Sequence, residues 1–196
     1  MAKESTFRNM VAALVLICAV CALVLGLVNS VTEEPIAKAE AEKVNSAIAS
    51  VVPAFDNAPA DEPIVIDDCE VYTATSGGAP VGYAVKVKTQ GFGGAITMMV
   101  GFTPDGVIYN TDVISHSETP GLGAKISDPA SLPRKGVAGA DPAKTRLSVR
   151  KDGGEIDAIT ASTITSRAFL KGINMAIEVF KKIDKGATLN TEEDGQ

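Results

Sequence analysis

The segment Asp157-Ala158-Ile159-Thr160-Ala161-Ser162-Thr163-Ile164-Thr165-Ser166-Arg167 crowds hydroxyls where a strand end feeds a helix start. A helix N-terminus leaves backbone N–H groups unpaired and carries positive partial charge, so it suits a phosphate. Arg167, one turn in, adds a cation. Ordinary capping by Thr160, Ser162 or Thr163, with no ligand, accounts for the same residues. A second segment is Ser115-His116-Ser117-Glu118-Thr119-Pro120-Gly121-Leu122-Gly123. Gly121 and Gly123 let backbone approach a flat ring closely, and Pro120 stiffens the approach. Glu118 and Thr119 offer an acceptor and a donor for the edge of a heterocycle. A tight loop with no ligand fits these residues equally well.

Composition narrows the chemistry. The net charge of −6 argues against nucleic acid, which needs a clustered basic footprint. One histidine, His116, and three scattered cysteines do not supply a zinc or iron–sulfur ligand set, and no metal site is expected. Cys18 and Cys21 read as small apolar-tolerant residues of a membrane span rather than a redox pair. Hard chemistry must come from acids, hydroxyls or an organic cofactor.

The elements that position these segments follow from pattern. Met10 to Val28 is an unbroken apolar run. At about 1.5 Å per residue it nearly matches the ~30 Å hydrocarbon core. It is longer than a secretory h-region and lacks a convincing cleavage site, which favours a retained single-pass anchor. Lys3 and Arg8 before it place the N-terminus in the cytoplasm and the rest outside. Pro35 can open a helix over Ile36 to Val52, with Ile36, Val44, Ile48, Val51 and Val52 near one face.

Ile64–Ile66, Glu70–Thr75, Val81–Lys88, Ala95–Phe102 and Val107–Ser115 alternate or carry β-branched residues and predict an antiparallel meander. Tyr83 to Lys88 suggests one buried and one wet face. Glu118 to Ala143 predicts a long ordered loop with at most a short helix. Two short strands, Arg146–Arg150 and Ile156–Ile159, and a helix from about Ser162 to Asp184 complete the pattern. Phe169, Ile173, Ile177, Phe180 and Ile183 form its buried stripe, and Lys181, Lys182 and Lys185 complement its C-terminal dipole. The expected organisation is a cytoplasmic N-terminus (1–9), a transmembrane helix (10–31), an amphipathic helix and linker (32–63), an α+β ligand domain with flanking helices (64–185) and a polar, frayed tail (186–196).

The anchor, the Glu118-to-Gly123 loop and the Asp157-to-Thr163 motif occur in an order that resembles a known family. It is the FMN-binding subunit family of Rnf-type ferredoxin:NAD oxidoreductases and sodium-pumping NADH:quinone reductases, and within it the G subunit of the Rnf type. The resemblance covers nearly the whole chain. It implies an FMN joined by a flavin transferase, through its phosphate, to Thr163, in a motif written Asp-x-x-Thr-Gly-Ala-Thr. Asp157, Thr160 and Thr163 match; Ala161 stands for the Gly and Ser162 for the Ala. Ala161 adds only a methyl, tolerable unless φ is positive there.

The resemblance further implies that Glu118, Thr119 and Gly121-Leu122-Gly123 contact the isoalloxazine. Thr165 lies in the same hydroxyl cluster, and Lys125 and Arg167 are charge partners. The function implied is an electron relay in a cell-membrane complex that couples ferredoxin/NAD electron transfer to Na+ or H+ translocation, with the other subunits as partners. Two alternatives are an anchored assembly subunit whose flavin site has decayed and a secreted small-molecule binding domain.

Overall fold

The computed structural model describes the backbone of residues 7–193 and the side chains of residue 7 and residues 9–183. Lys3 and the side chains of Arg8 and Lys185, invoked above for orientation and dipole, lie outside the described residues. The chain divides into two compact units, Met1–Glu42 and Lys43–Gln196.

Helix α1 spans Phe7–Val51 without a break at Pro35, which is interior to it rather than at its start. Pro35 removes one helical donor, a loss usually prohibitive in a dry helix interior. Pro35 and Val31 are both exposed, so the residues on either side of the lost bond lie outside any packed core. Within the first unit, the Ser30 hydroxyl donates to the Gly26 carbonyl (3.0 Å) and the Thr32 hydroxyl to that of Val28 (2.9 Å). These hydroxyls are satisfied inside the helix. By length and composition, Asn9–Val51 could cross a membrane.

The second unit is a meander of β1 (Ile64–Ile66), β2 (Cys69–Ser76), β3 (Ala79–Gln90), β4 (Ala95–Phe102) and β5 (Ile108–His116). All are antiparallel and paired in sequence order. Alternation decides which residue faces which layer. Val85, Val87, Met98, Val100 and Phe102 face the core under α3 (Thr163–Glu193), while Ala84 and Met99 face the end of α1. The expected wet face of β3 is covered only at Ala84, where Ala47, Ile48, Val51 and Val52 pack, while Lys86 is half-buried and Lys88 exposed. Stretch 43–63 thus belongs to the compact unit.

The α3 stripe is as patterned, with Phe169 and Ile173 fully buried and Phe180 stacked on Phe102 at 4.9 Å between centroids. The helix runs past Asp184 to Glu193, into the stretch expected to be a tail, so Lys181 and Lys182 are not at its end. They pair with Glu178 and Asp67. Arg146–Arg150 and Ile156–Ile159 are not strands. They meet in a single parallel bridge, Val149–Ile156, with a 3-10 turn at Arg150–Asp152 between them. Leu147 and Val149 alternate because both reach the core under α3, without a ladder partner. The long loop holds a 3-10 turn, Gly123–Ser127, and a short helix α2, Leu132–Val137.

Candidate functional site

The start of α3 is a built turn. The Ser162 N–H donates to the Ile159 carbonyl (3.0 Å), and the Ser166 N–H donates back to the Ser162 carbonyl (3.1 Å). Buried Ser166 staples the turn: its hydroxyl donates to the Ser162 carbonyl (3.0 Å) and accepts from the Ile159 N–H (3.0 Å). The N–H groups of Thr163, Ile164 and Thr165 therefore lack helical acceptors at residues that line a cleft. Ser162 is buried at 7% exposure, whereas Thr163 is half-buried.

Ala161 sits in the left-handed region at φ +62°. Alanine there costs about 1–2 kcal/mol relative to a right-handed conformation, which is the reason glycine suits this position. Glycine gives back part of that gain, about 0.5–1 kcal/mol, through its freer unfolded chain. Ala161→Gly is accordingly expected to stabilise the protein by roughly 0.5–1 kcal/mol in thermal unfolding. A loss of stability would contradict the strained turn.

The opposing wall comes from the loop after β5. Gly121 closes it at φ +75°, with the Leu122 and Ala124 N–H groups both donating to the Thr119 carbonyl. Glu118 is buried at 6% exposure. Its Oε2 accepts from the Thr165 hydroxyl at 2.6 Å and its Oε1 from the Gly93 N–H at 3.1 Å. One carboxylate thus ties α3 and the β3–β4 turn to the loop. Gly123 is needed for close approach, since a Cβ there would stand 2.4 Å from Glu118 Oε2 and 2.7 Å from Thr165 Oγ1.

The loop's far end is fixed by Arg134, buried at 4% exposure. Its guanidinium donates to the carbonyls of Ser127 (2.7 Å) and Thr111 and pairs with Asp112. Burial pulls its pKa down, and Asp112 opposes that shift.

Between these walls lies a cleft of about 310 Å³, at the small end of ligand pockets. Glu118, Thr119 and Thr165 give it polar groups; Gly123, Ala161, Ser162 and Thr163 flank them; Phe92, Leu122 and Ile164 make it apolar. A second cleft of about 310 Å³ takes Lys125 and Thr160, with Asp128, Ser131, Leu132 and Ile159. Thr160 and Lys125 are thus not in the first cleft.

Neither Lys125 nor Arg167, the expected charge partners, lines it. Arg167 makes a two-pronged pair with Asp152 (2.8 and 2.7 Å), and Asp157 accepts from Arg150 (2.5 Å). The Arg167 hydrogen bond holds the Asp152 carboxyl below its usual range. Arg167 is thus engaged by Asp152, because α3 turns it toward the 3-10 turn that carries that residue. Phe92, Ile164, Ser166 and Arg134 join the site without having stood out in the sequence. For Phe92 the run Gly91-Phe92-Gly93-Gly94 is the available signal.

The FMN-binding domain family matches residues 91–178, which contain both walls of the cleft. The G subunit of the ion-translocating oxidoreductase complex of Cereibacter sphaeroides is 36% identical over 173 residues, 83% of this chain and 79% of that protein. The chain belongs to the G-subunit family of ion-translocating oxidoreductase complexes. Another G subunit, from the Na(+)-translocating ferredoxin:NAD(+) oxidoreductase complex of Acetobacterium woodii, is 35% identical and covers 88% of this chain and 90% of its own length. The G subunit of the proton-translocating ferredoxin:NAD(+) oxidoreductase complex of Clostridium ljungdahlii is 38% identical over 55% of this chain and 57% of its own. Among solved structures, NqrC of Shewanella oneidensis is similar with a TM-score of 0.47 and 20% identity, over 66% of this chain and 64% of that one. In this member of the G-subunit family, the positions that bracket the cleft are the Gly91–Gly94 turn, the Glu118–Gly123 loop and the start of α3.

Proposed function

We propose that this protein carries FMN joined through its phosphate to the Thr163 hydroxyl and relays electrons between other subunits of its membrane complex. The observation that carries the reading is the position of Thr163 at the helix start, in a cleft within the matched FMN-binding domain. In forming the ester, the Thr163 oxygen bonds to the flavin phosphorus and loses its proton, while one P–O bond to a leaving group on that phosphorus breaks and the leaving group takes the oxygen away, so that the chain gains one FMN less one water. A flavin transferase is the partner that makes this bond. Thr163 is the more accessible of the two adjacent hydroxyls, which supports its choice over Ser162.

The residues present fit such a group. The free N–H groups of Thr163, Ile164 and Thr165 favour a phosphate anion by about 0.3–1 kcal/mol at a helix start. Apolar Phe92, Leu122 and Ile164 suit a flat heterocycle. Thr119, Leu122 and Gly123 line its approach, while Glu118 and Thr165 hold the walls together. When bound, FMN supplies one- and two-electron exchange. The protein's part is to hold it in place and exclude water from one side.

The FMN domain stands outside the cytoplasm, anchored by the inner-membrane span, where a covalent tether prevents cofactor loss. The coupling ion is handled elsewhere. The run Met10 to Val28 has no acidic residue, and relatives named for sodium and for protons are similarly identical to this chain.

One observation favours the assembly-subunit reading: Ala161 is strained inside the attachment motif. Thr163→Val in membranes containing the complex separates the two. The expected result is loss of ferredoxin-dependent NAD reduction while the subunits still co-purify. Wild-type electron flow in the variant would leave assembly as the better reading.

A further inference from the structure

We propose that the 3-10 turn Arg150–Asp152 is a crosspiece that holds the attachment turn in shape, with Arg150 and Asp152 as positioning residues for Thr163; this rests on the FMN reading above. Asp157 and Arg167 stand at the two ends of the hydroxyl segment and are not among the residues that line the cleft. Both reach back to that one turn instead. Asp157 accepts from Arg150, and Arg167 donates to Asp152. The two ion pairs therefore grip the chain on either flank of Thr163.

The crosspiece is itself fixed to the core. Buried Val149 and Ile156 stand on either side of it, and the Arg150 N–H donates to the Ile156 carbonyl at 3.0 Å. Gly154 packs so closely that an added Cβ would stand 2.0 Å from the Ser148 carbonyl oxygen. What the crosspiece grips is a strained turn. Ala161 is at φ +62°, and a residue held there persists only where its surroundings over-determine it. Within the turn, Ser166 staples Ile159 to Ser162; the ion pairs fix the chain before Ile159 and after Ser166. Both pairs are solvent-exposed, so each alone shifts a turn-opening equilibrium by up to about five-fold. Joined through one rigid turn, their effects multiply.

The test uses the full chain in detergent and leaves the Asp157-to-Thr163 motif intact. It compares wild type, Arg150→Gln, Asp152→Asn and the two combined, with Glu178→Gln farther along α3 as a control. In chains expressed without a flavin transferase, mass spectrometry follows hydrogen exchange in the peptide carrying the Ile159, Ser162 and Ser166 amides. Each single variant should exchange there up to about five-fold faster than wild type, and the double variant faster than either. Intact mass then times the loading of each chain by a limiting flavin transferase supplied with flavin adenine dinucleotide. Initial loading should slow in the same order, and Glu178→Gln should match wild type in both measurements. Asp152→Arg combined with Arg167→Asp restores the pair with its charges reversed, and should recover both slow exchange and loading. Wild-type exchange in the double variant, faster exchange with wild-type loading, or no recovery in the reversed pair would each overturn the proposal. A wild-type chain that takes up no FMN counts against the FMN reading, and the exchange comparison then decides by itself whether the crosspiece holds the turn.

Discussion

Glu118→Ala is expected to lower the unfolding free energy by about 3 kcal/mol, because each hydrogen bond to a charged acceptor contributes roughly 1.5–3 kcal/mol. Two such bonds are lost at once, and the donors left behind, the Thr165 hydroxyl and the Gly93 N–H, belong to different elements. Water entering from the cleft recovers part of the loss, which keeps the estimate below the sum of the two. Glu118 has no salt-bridge partner among the described residues, so relief of an unpaired buried charge offsets some of the cost as well. Glu118→Gln keeps one acceptor and the shape, and should cost about 1 kcal/mol. Thermal unfolding of the full chain in detergent, at about 2–4 °C per kcal/mol for a domain of this size, resolves the two variants. Equal melting temperatures for wild type and Glu118→Ala would mean that the carboxylate does not bracket the cleft.

Gly101→Ala acts on the opposite face of the sheet and should cost at least about 3 kcal/mol, the upper end for overpacking. An ideal Cβ at Gly101 would stand 1.7 Å from the Val51 carbonyl oxygen and 2.5 Å from its carbon. Both are backbone atoms, so no side chain can swing away to make room. The end of α1 must retreat, and Ala47, Ile48, Val51 and Val52 lose their packing on Tyr72, Ala74, Ala84 and Met99. The bond from the Asn110 amide to the Ser50 carbonyl (2.9 Å) is strained by the same movement. Loading of Thr163 at low temperature should persist, because the cleft lies on the α3 side. Unchanged stability would show that the end of α1 is not seated on β4.

These two residues also mark where the sequence is legible and where it is not. The five strands are readable because successive side chains alternate between the two faces of the sheet, as in Met98, Val100 and Phe102, which share the α3 side. The start of α3 is readable to one residue because a hydroxyl cluster precedes the 3.6-period stripe of Phe169, Ile173 and Ile177. Gly101 carries no such mark: its need for hydrogen in place of a side chain comes from Val51, far away in sequence. Glu118 stands out, but its direction does not, since a carboxylate in a glycine loop can face a ligand or its own framework. The partner of Arg167 is hidden for the same reason: helical phase puts it one turn in, and only the fold brings Asp152 to meet it. Pro35 reads as a helix start because local rules favour it there, and α1 overrides them by running through it at an exposed position. Ala161 is the reverse case. The sequence poses the condition that a positive φ would matter, and the turn meets it at +62°.

The most direct measurement is intact mass with in-gel flavin fluorescence on the chain co-expressed with a flavin transferase, comparing wild type, Thr163→Val and Ser162→Ala. Wild type and Ser162→Ala should each gain the mass of one FMN less one water and fluoresce, and Thr163→Val should do neither. A wild-type chain that stays unmodified, or a Thr163→Val chain that is still flavinylated, would contradict attachment at Thr163.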